Sequence, residues 1–360
     1  MKKISIVIGV LALYSLTFCS HRDQSNITTI IDPQKLSIDT PTIEVVPLAF
    51  DNSLSLRLIM IDDSTVINVK RNKAGNFLDI VNNITGEQTS LFNVGEGPEE
   101  LLFCDFKYDG HNITIADFTR KRLTQFPKER LKDSTFKAVF IPFPQTIGLS
   151  SQPLIIGDSM LILNPYHYIN DTEGINQDEP RLVYISKSQE FFGPKDKELL
   201  FTFNVTQADL IRNENNGDIW VFPADKSVIE IYNSSLDKKK TIKVLSDVSG
   251  DAPVFFLESK AGNKEVIYKG GYPQTFMGIT VSPDKSKLYV PLVGKFITKK
   301  NRLKDQSTLI LEMNWEGEIL KTLYVPHIIY NLSITDSGLY ASIDDEEENS
   351  ILVKIGNETD

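Results

Sequence analysis

The sequence feature that most constrains the fold is a pattern that recurs six times along the chain. Each copy is a polar turn that leads into a short, half-buried β-strand. The copies read IDDSTVINVK from Ile61, DGHNITIADF from Asp109, IIGDSMLILN from Ile155, NNGDIWVFPA from Asn215, SPDKSKLYVP from Ser282 and TDSGLYASID from Thr335. Six copies built from strands and turns, at spacings of roughly 47 to 67 residues, are typical of a β-propeller.

A second strand pattern follows each first one after a variable gap. In VIEIY, the apolar Val228, Ile229 and Ile231 flank Glu230, close to the period of two that a strand requires. Most of these strands run through a turn into another strand, such as FKAVFIPF from Phe136. No long stretch repeats its apolar residues with the 3.6-residue period of an amphipathic helix, which disfavours an α/β fold. We therefore predict an all-β fold, a six-bladed β-propeller with four-stranded blades.

The two ends of the chain predict how the ring closes. The sixth unit stops at SILVKIGNETD, after its third strand, and the strand-like TPTIEVVPLAF precedes the first unit. We predict that the segment around Ile43 to Val46 pairs beside the last third strand. This N-terminal strand would complete the last blade and remove exposed edges.

The N-terminus predicts export. Two lysines precede an apolar run from Ile4 to Phe18, and Cys19 and polar residues follow. This is the pattern of a secretory signal peptide. We predict a signal peptide over 1–18, a polar tether over 19–39 and the propeller over 40–360.

The segment Leu16-Thr17-Phe18-Cys19 resembles a bacterial lipobox. It predicts a lipid on Cys19 and a cell-envelope protein anchored to the outer membrane, on its periplasmic or its surface-exposed side. Phe18 departs from the small residue that the motif places before the cysteine. Ordinary signal cleavage nearby, with Cys19 lost or unmodified, is the alternative.

Composition narrows the partner classes. The net charge of −10 and the scattered basic residues make a nucleic-acid partner unfavourable, because a phosphate backbone rewards clustered Lys and Arg. Two cysteines rule out a disulfide framework. Cys104 lies in the apolar LLFCDF and is expected to be a small buried hydrophobe, with a catalytic thiol as the alternative.

The stretch NVGEGPEELLF, Asn93 to Phe103, interrupts this strand pattern with two glycines, a proline and three glutamates. A phosphate loop would need backbone donors at a helix N-terminus, and here a strand follows. Glu96, Glu99 and Glu100 could offer oxygen ligands to a metal, but no calcium-type spacing accompanies them. We predict a structural crossing from the outer strand of one blade to the inner strand of the next, since KGGYPQTF precedes the fifth unit in the same way.

Crossings of this kind and the loops between second and third strands share one face of a propeller. Two such loops are long: PYHYINDTEGINQDEP from Pro165 is acidic, and GKFITKKNRLKD from Gly294 is basic. Long loops on a rigid scaffold concentrate binding residues. The candidate binding face comprises Tyr166, His167, Tyr168, Lys299, Lys300, Arg302, Glu96 and Glu99. The alternative is that both loops are solvated insertions that pack on each other through opposite charge.

The segment VGEGPEELLF, followed by DGHNITIADFTRKRLTQF, resembles the TolB-like six-bladed propeller lipoproteins of Bacteroidetes. The same unit also resembles an NHL repeat, with Asp117, Arg122 and Phe126 in comparable positions, and SPDKSKLYV is similar to a blade of TolB itself. The resemblance implies a propeller fold and an envelope location. It implies no catalytic residue.

The resulting functional hypothesis is a non-catalytic binding or scaffolding module for a peptide, a glycan or an envelope protein. The histidines fall in separate units, and no HExxH, GxSxG, SxxK or CxxC occurs. We therefore expect no cofactor and no metal. The alternative is an envelope enzyme of polysaccharide lyase or hydrolase type, with its site at the mouth of the channel.

Overall fold

The structure is a computed structural model that describes the chain between residues 27 and 356 with gaps. The described ranges are 27–70, 75–97, 100–102, 104–117, 119–120, 122–133, 136–142, 154–157, 159–163, 182–186, 208–223, 227–244, 254–258, 264–268, 272–297, 307–345, 347 and 349–356. The predicted signal peptide, 1–18, and Cys19 lie outside them.

Strands dominate the described residues, with short 3-10 helices at Pro33–Lys35 and Lys128–Lys132. The strands are β1 (Ile27–Ile31), β2 (Thr42–Val45), β3 (Ser55–Met60), β4 (Thr65–Lys70), β5 (Asn76–Asn82), β6 (Gln88–Asn93), β7 (Cys104–Tyr108), β8 (Asn112–Asp117), β9 (Arg122–Pro127), β10 (Ile141–Pro142), β11 (Leu154–Ile156), β12 (Ser159–Leu163), β13 (Leu182–Ser186), β14 (Ala208–Arg212), β15 (Ile219–Pro223), β16 (Val228–Tyr232), β17 (Lys238–Val244), β18 (Val254–Glu258), β19 (Lys264–Tyr268), β20 (Tyr272–Phe276), β21 (Thr280–Val281), β22 (Lys287–Ile297), β23 (Thr308–Asn314), β24 (Ile319–Val325), β25 (Asn331–Thr335), β26 (Gly338–Asp344) and β27 (Ser350–Gly356).

These strands form an all-β propeller arrangement with five blades of four or more strands. Blade 1 is β3–β6, blade 2 is β7–β10, blade 3 is β14–β17 with β1, blade 4 is β20–β24, and blade 5 is β25–β27 with β2. The prediction of six four-stranded blades is wrong for the described residues. The third repeat unit contributes a three-stranded sheet, β11–β13, and β18 and β19 form a separate hairpin.

The core lies between successive sheets, as propeller geometry requires. Buried apolar clusters join blades 1 and 2, blades 3 and 4, and blades 4 and 5. Further clusters join the three-stranded sheet to blade 3, and blade 5 to blade 1. Trp220 in β15 is fully buried and meets Trp315 of blade 4 edge to face, with ring centroids 5.6 Å apart. Blades 1, 3, 4 and 5 thus each bury apolar side chains on both faces, and blade 2 does so against blade 1.

The predicted turns are stabilised by their own acidic residues. Asp62 Oδ1 accepts hydrogen bonds from the backbone N–H of Ser64 and of Thr65, both at 3.0 Å. Asp109 Oδ1 does the same for His111 and Asn112 in the turn between β7 and β8. Aspartate favours such turns because its carboxylate satisfies backbone donors that the strands leave unpaired.

The N-terminal segment completes the last blade. β2 pairs antiparallel with β27, with Ile43 opposite Ile355 and Val45 opposite Val353. The predicted pairing of this segment beside the last third strand is therefore confirmed. Part of the predicted tether over 19–39 is also held on the propeller, because β1 pairs parallel with β17 and Asp39 bridges Leu323 of β24.

The fourth strand of blade 2 is shorter than FKAVFIPF predicts. Its pairing with β9 involves two residues, Ile141 opposite Leu123 and Pro142 opposite Arg122. Phe136 instead packs on Phe126, with ring centroids 4.6 Å apart. The aromatic side chains of this segment are therefore used to cover the blade.

Candidate functional site

The GEGPEE stretch is the crossing from β6, at the outer edge of blade 1, to β7, at the opposite edge of blade 2. Val94 and Leu101 form a parallel bridge across it. Gly95 N–H donates to Leu101 O, and Leu101 N–H donates to Asn93 O, both at 2.9 Å. Leu101 is fully buried between blades 1 and 2. The predicted structural crossing is thus observed, as a closed, hydrogen-bonded loop.

Glu100 belongs to the interior of this loop. Its Oε2 accepts a hydrogen bond from Gly97 N–H at 2.6 Å. A Cβ at Gly95 would lie 2.1 Å from the same Oε2, so a larger residue at position 95 would displace the Glu100 carboxylate from this position. Glu100 therefore uses one of its carboxylate oxygens within its own loop.

Two arginines of blade 2 donate hydrogen bonds to backbone carbonyl groups of the crossing. Arg120 donates to Gly97 O and to Glu100 O, and Arg122 donates to Glu100 O. The Arg122 guanidinium also lies 4.2 Å from the ring centroid of Phe140. Charge-assisted hydrogen bonds of this kind are roughly twice as strong as neutral ones, so they fix the loop firmly.

The buried carboxylate of Asp117 contacts both of these arginines. Its side chain is fully buried and lies 3.6 Å from Arg122 Nε. It also accepts from Arg120 N–H at 3.1 Å and from Leu102 N–H at 3.4 Å. Burial, and then the nearby charge of Arg120, lower the pKa of Arg122. The carboxylate offsets this effect and keeps the cluster together.

Glu96 is the exposed acidic residue of the crossing among those described. Because strands run antiparallel in order, this crossing and the loops between second and third strands lie at one end of the blades, the crossing face. The other predicted binding residues, Glu99, Tyr166, His167, Tyr168, Lys299, Lys300 and Arg302, lie outside the described residues.

The opposite end, the turn face, holds a cavity of about 80 Å³ that sequence reasoning missed. Its lining includes Asp109, His111, Arg212, Glu214, Lys285 and Trp315. All but Trp315 come from first-to-second-strand turns, or the strand ends beside them, in three different blades. The sequence signal for this cavity is the set of charged residues in the turns DGHN, RNENNGD and SPDKS. Their position at the same end of the blades would have indicated the cavity.

The polar groups of this cavity largely satisfy one another. His111 Nε2–H donates a hydrogen bond to the backbone oxygen of Ser282 at 3.1 Å. Lys285 pairs with Glu214, and this bond lowers the pKa of Glu214. Val281 N–H donates to Asp109 O at 2.9 Å, which ties blade 2 to blade 4. The cavity therefore lies where turns of blades 2, 3 and 4 meet, and its polar groups mainly hold these turns together.

Three further observations concern metal ligands, the thiol of Cys104 and membrane-spanning helices. No three His, Cys, Asp or Glu side chains of the described ranges gather as a metal site would require. Cys104 is partly buried against the core of blades 1 and 2, and burial raises the pKa of its thiol, which disfavours the thiolate that catalysis needs. Within the same ranges, no helix is both long and apolar enough to span a bilayer.

Comparison with known proteins supports the fold. No protein-family model matches the sequence, and no curated protein matches it. The structure is similar to a member of the DUF4221 family from Bacteroides vulgatus, with a TM-score of 0.50 and 12% identity, covering 89% of this chain and 97% of that one.

Two weaker structural similarities were also found. A Bacteroides fragilis protein whose name describes it as exported has a TM-score of 0.49 and 11% identity, covering 93% of this chain and 100% of that one. BamB from Moraxella catarrhalis has a TM-score of 0.35 and 10% identity, covering 91% and 96%. At these identities a similarity concerns the fold alone, and the class that fold and contacts define is an all-β propeller protein.

Proposed function

We propose that this protein is an exported propeller lipoprotein that acts as a non-catalytic binding or scaffolding module of the cell envelope. Residues 1–18 are its signal peptide, and Cys19 carries the lipid that anchors it to the outer membrane. The N-terminal strand β2 closes the ring. The resemblance to TolB-like propellers and NHL repeats, carried by the VGEGPEELLF and SPDKSKLYV segments, supports this assignment.

The observation that carries the binding role is the rigid crossing between blades 1 and 2. Polar groups of the crossing are hydrogen-bonded by Arg120, Arg122 and Glu100. The side chain of Glu96, in contrast, is exposed to solvent. A carboxylate held on a preorganised loop loses little conformational entropy when a partner binds it. The crossing is therefore built to present an acid to a partner.

The ligand chemistry follows from this charge. An exposed carboxylate on a protein of net charge −10 suits a partner that offers cationic or hydrogen-bond donor groups, which peptides, envelope proteins and glycans all supply. Tyr166, His167 and Tyr168 would add aromatic contact surface for sugar rings or peptide side chains. Lys299, Lys300, Arg302 and Glu99 complete the proposed face.

The cavity on the turn face gives little support to the hypothesis of an enzyme. The cavity there is about 80 Å³, and sites for drug-sized ligands are typically about 300–1,000 Å³. A polysaccharide would not enter it. Four charged or titratable residues of its lining are also engaged with one another or with backbone groups, namely Asp109, His111, Glu214 and Lys285. Binding is therefore the better supported function.

The test is capture of partners from native envelope with the full-length protein. Wild type is compared with a crossing-face variant that combines Glu96→Ala, Tyr166→Ala, Tyr168→Ala and Lys300→Ala. A matched variant of the turn face, Glu214→Ala, serves as the control. We expect the crossing-face variant to lose captured partners and the control to keep them. Retention of every partner by the crossing-face variant would refute the proposed face.

A further inference from the structure

The N-terminal segment forms a continuous strap over residues 27–50 that visits the outer edges of successive blades. It begins as β1 on blade 3, where Ile27 to Ile31 pair with Lys240 to Val244. It then bridges blade 4, where Asp39 N–H donates to Thr322 O at 3.0 Å and Tyr324 N–H donates to Asp39 O at 2.9 Å. Within the described residues, the strap therefore begins on blade 3.

The strap continues to the other end of the blade series. β2 pairs on blade 5, and Ala49 N–H donates to Asn83 Oδ1 of blade 1 at 3.0 Å. The end of the strap that is nearest to Cys19 in sequence therefore lies on blade 3. Blade 1 is reached last.

The distance from Cys19 to the strap is short. Eight residue steps separate Cys19 from Ile27, and a fully extended chain advances about 3.5 Å per residue, so the reach is at most about 28 Å. A compact domain of this length is about 50 Å across. A lipid on Cys19 therefore brings the blade 3 edge near the bilayer, whereas the opposite side of the ring need not approach it.

The strap and the adjoining β24 also carry exposed apolar side chains. Its large apolar side chains are exposed: Ile30 by 62%, Leu320 by 49%, Ile38 by 43% and Tyr324 by 36%. Lys243, also exposed, lies opposite Ile30 in the β1–β17 register. We call these five residues the apolar rim. Exposed aliphatic and tyrosine side chains next to a lysine suit the boundary between headgroups and acyl chains.

We propose that the apolar rim rests on the lipid bilayer, so that the propeller is held edge-on. The rim of blades 3 and 4 then contacts the membrane, and blade 1 points away from it. This orientation rests on the proposed lipid anchor at Cys19. It leaves both ends of the channel, including the crossing face, open to partners beside the membrane.

The experiment uses the full-length protein isolated from bacterial membranes, with Cys104→Ala to remove the internal thiol. A fluorophore is placed at Ile30→Cys, on the rim, or at Ile84→Cys, on blade 1. Ile84 is the matched control, since it is an isoleucine exposed by 77% at the far end of the strap. The proteins are bound to phosphatidylethanolamine–phosphatidylglycerol vesicles that carry a nitroxide on the headgroup.

We expect both proteins to float with the vesicles and quenching at residue 30 to exceed that at residue 84 at least about threefold, given the reach of the tether and the size of the domain. Flotation with equal quenching, or with stronger quenching at residue 84, would overturn the edge-on orientation and leave the anchor intact. Failure to float would overturn the anchor and, with it, the orientation.

A second variant tests the rim itself. Ile30→Glu, with the fluorophore moved to Ile38→Cys, should float normally but lose at least about half of the quenching at residue 38, because a charge on the rim disfavours contact with acyl chains. Ile84→Glu in the same background should leave the quenching unchanged. Unchanged quenching with Ile30→Glu would contradict a bilayer contact through this surface.

Discussion

Replacing Arg122 by alanine should loosen the crossing between blades 1 and 2. The substitution removes the hydrogen bond to Glu100 O and the contact with Phe140. It also leaves Asp117, whose side chain is fully buried, without its partner at 3.6 Å. Arg122 itself is only 13% exposed, so solvent screens these interactions little.

The magnitude follows from these three losses. A hydrogen bond from a charged donor contributes about 1.5–3 kcal/mol, and a partly buried cation–π contact about 0.5–2 kcal/mol. Breaking a buried ion pair by removing one member typically costs about 3–5 kcal/mol in total. We therefore expect the free energy of unfolding to fall by about 3–5 kcal/mol. Arg122→Lys keeps the charge and should lose about half as much.

Urea unfolding followed by tryptophan fluorescence measures the effect. With a slope of about 3 kcal/mol per molar urea, the expected loss lowers the midpoint by at least about 1 M. Arg130→Ala is the matched control in the same blade, because Arg130 is 60% exposed and forms a surface pair with Asp133. We expect that variant to change stability by no more than about 0.5 kcal/mol.

Equal midpoints for Arg122→Ala and Arg130→Ala would contradict the proposed clamp. Arg122→Ala should also weaken the capture of partners, since it frees the loop that presents Glu96. A variant that is destabilised as expected but captures partners normally would separate the two roles and show that the rigidity of the crossing is unimportant for binding.

Three further experiments test the fold. Gly110→Ala should lower the free energy of unfolding by about 2–4 kcal/mol in calorimetry, because residue 110 has φ +100° and its Cβ would lie 2.4 Å from Val281 O. Gly75→Ala, at φ +85° in open space, should cost only about 1 kcal/mol, and equal costs would contradict the contact between blades 2 and 4. Ile31→Ala, which removes a buried strap residue, should cost about 2–4 kcal/mol, whereas the exposed Ile30→Ala should cost less than about 0.5 kcal/mol. Hydrogen bonds from Ser282 and Ser286 lower the pKa of Asp284 to about 2, so its contribution to stability is present above pH 3.8 and is lost as the pH falls towards 2. Asp284→Asn should remove this part of the pH dependence in urea midpoints measured between pH 5 and pH 2, and an unaltered pH profile would contradict it.

Turns and inner strands could be predicted from sequence because their causes are local. Asp109 and Gly110 satisfy the turn before β8 with their own carboxylate and positive φ. The pairing of β2 with β27 was also predictable, since the last unit lacked one strand and the N-terminus had one to supply. These features depend on residue type and spacing alone.

The outer edges of the blades could not be predicted in the same way. FKAVFIPF has the pattern of a strand, but Phe136 and Phe140 pack on Phe126 and Phe92, and only Ile141 and Pro142 pair. An outer strand has one neighbour, so packing of its aromatic residues can outweigh pairing. The first part of the strap lies in a polar segment, which predicts a tether, although the β-branched Ile27–Ile31 are typical of a strand.

The crossing could be predicted as a structural loop, but the contacts of its residues could not. Glu96, Glu99 and Glu100 form one cluster in sequence, yet Glu100 closes its own loop and Glu96 is exposed. The backbone carbonyl groups of this loop are fixed by Arg120 and Arg122, which lie at least twenty residues further on. Such a pairing follows from the stacking of blade 1 on blade 2, and it has no signature in either stretch alone.

Photo-cross-linking from single positions tests the central claim most directly. A photoreactive amino acid at position 96, on the crossing face, should give a covalent adduct with an envelope partner in living cells. The same amino acid at position 214, on the turn face, should give none. Adducts from position 214 without adducts from position 96 would contradict the account of a binding propeller that engages its partner at the crossing face.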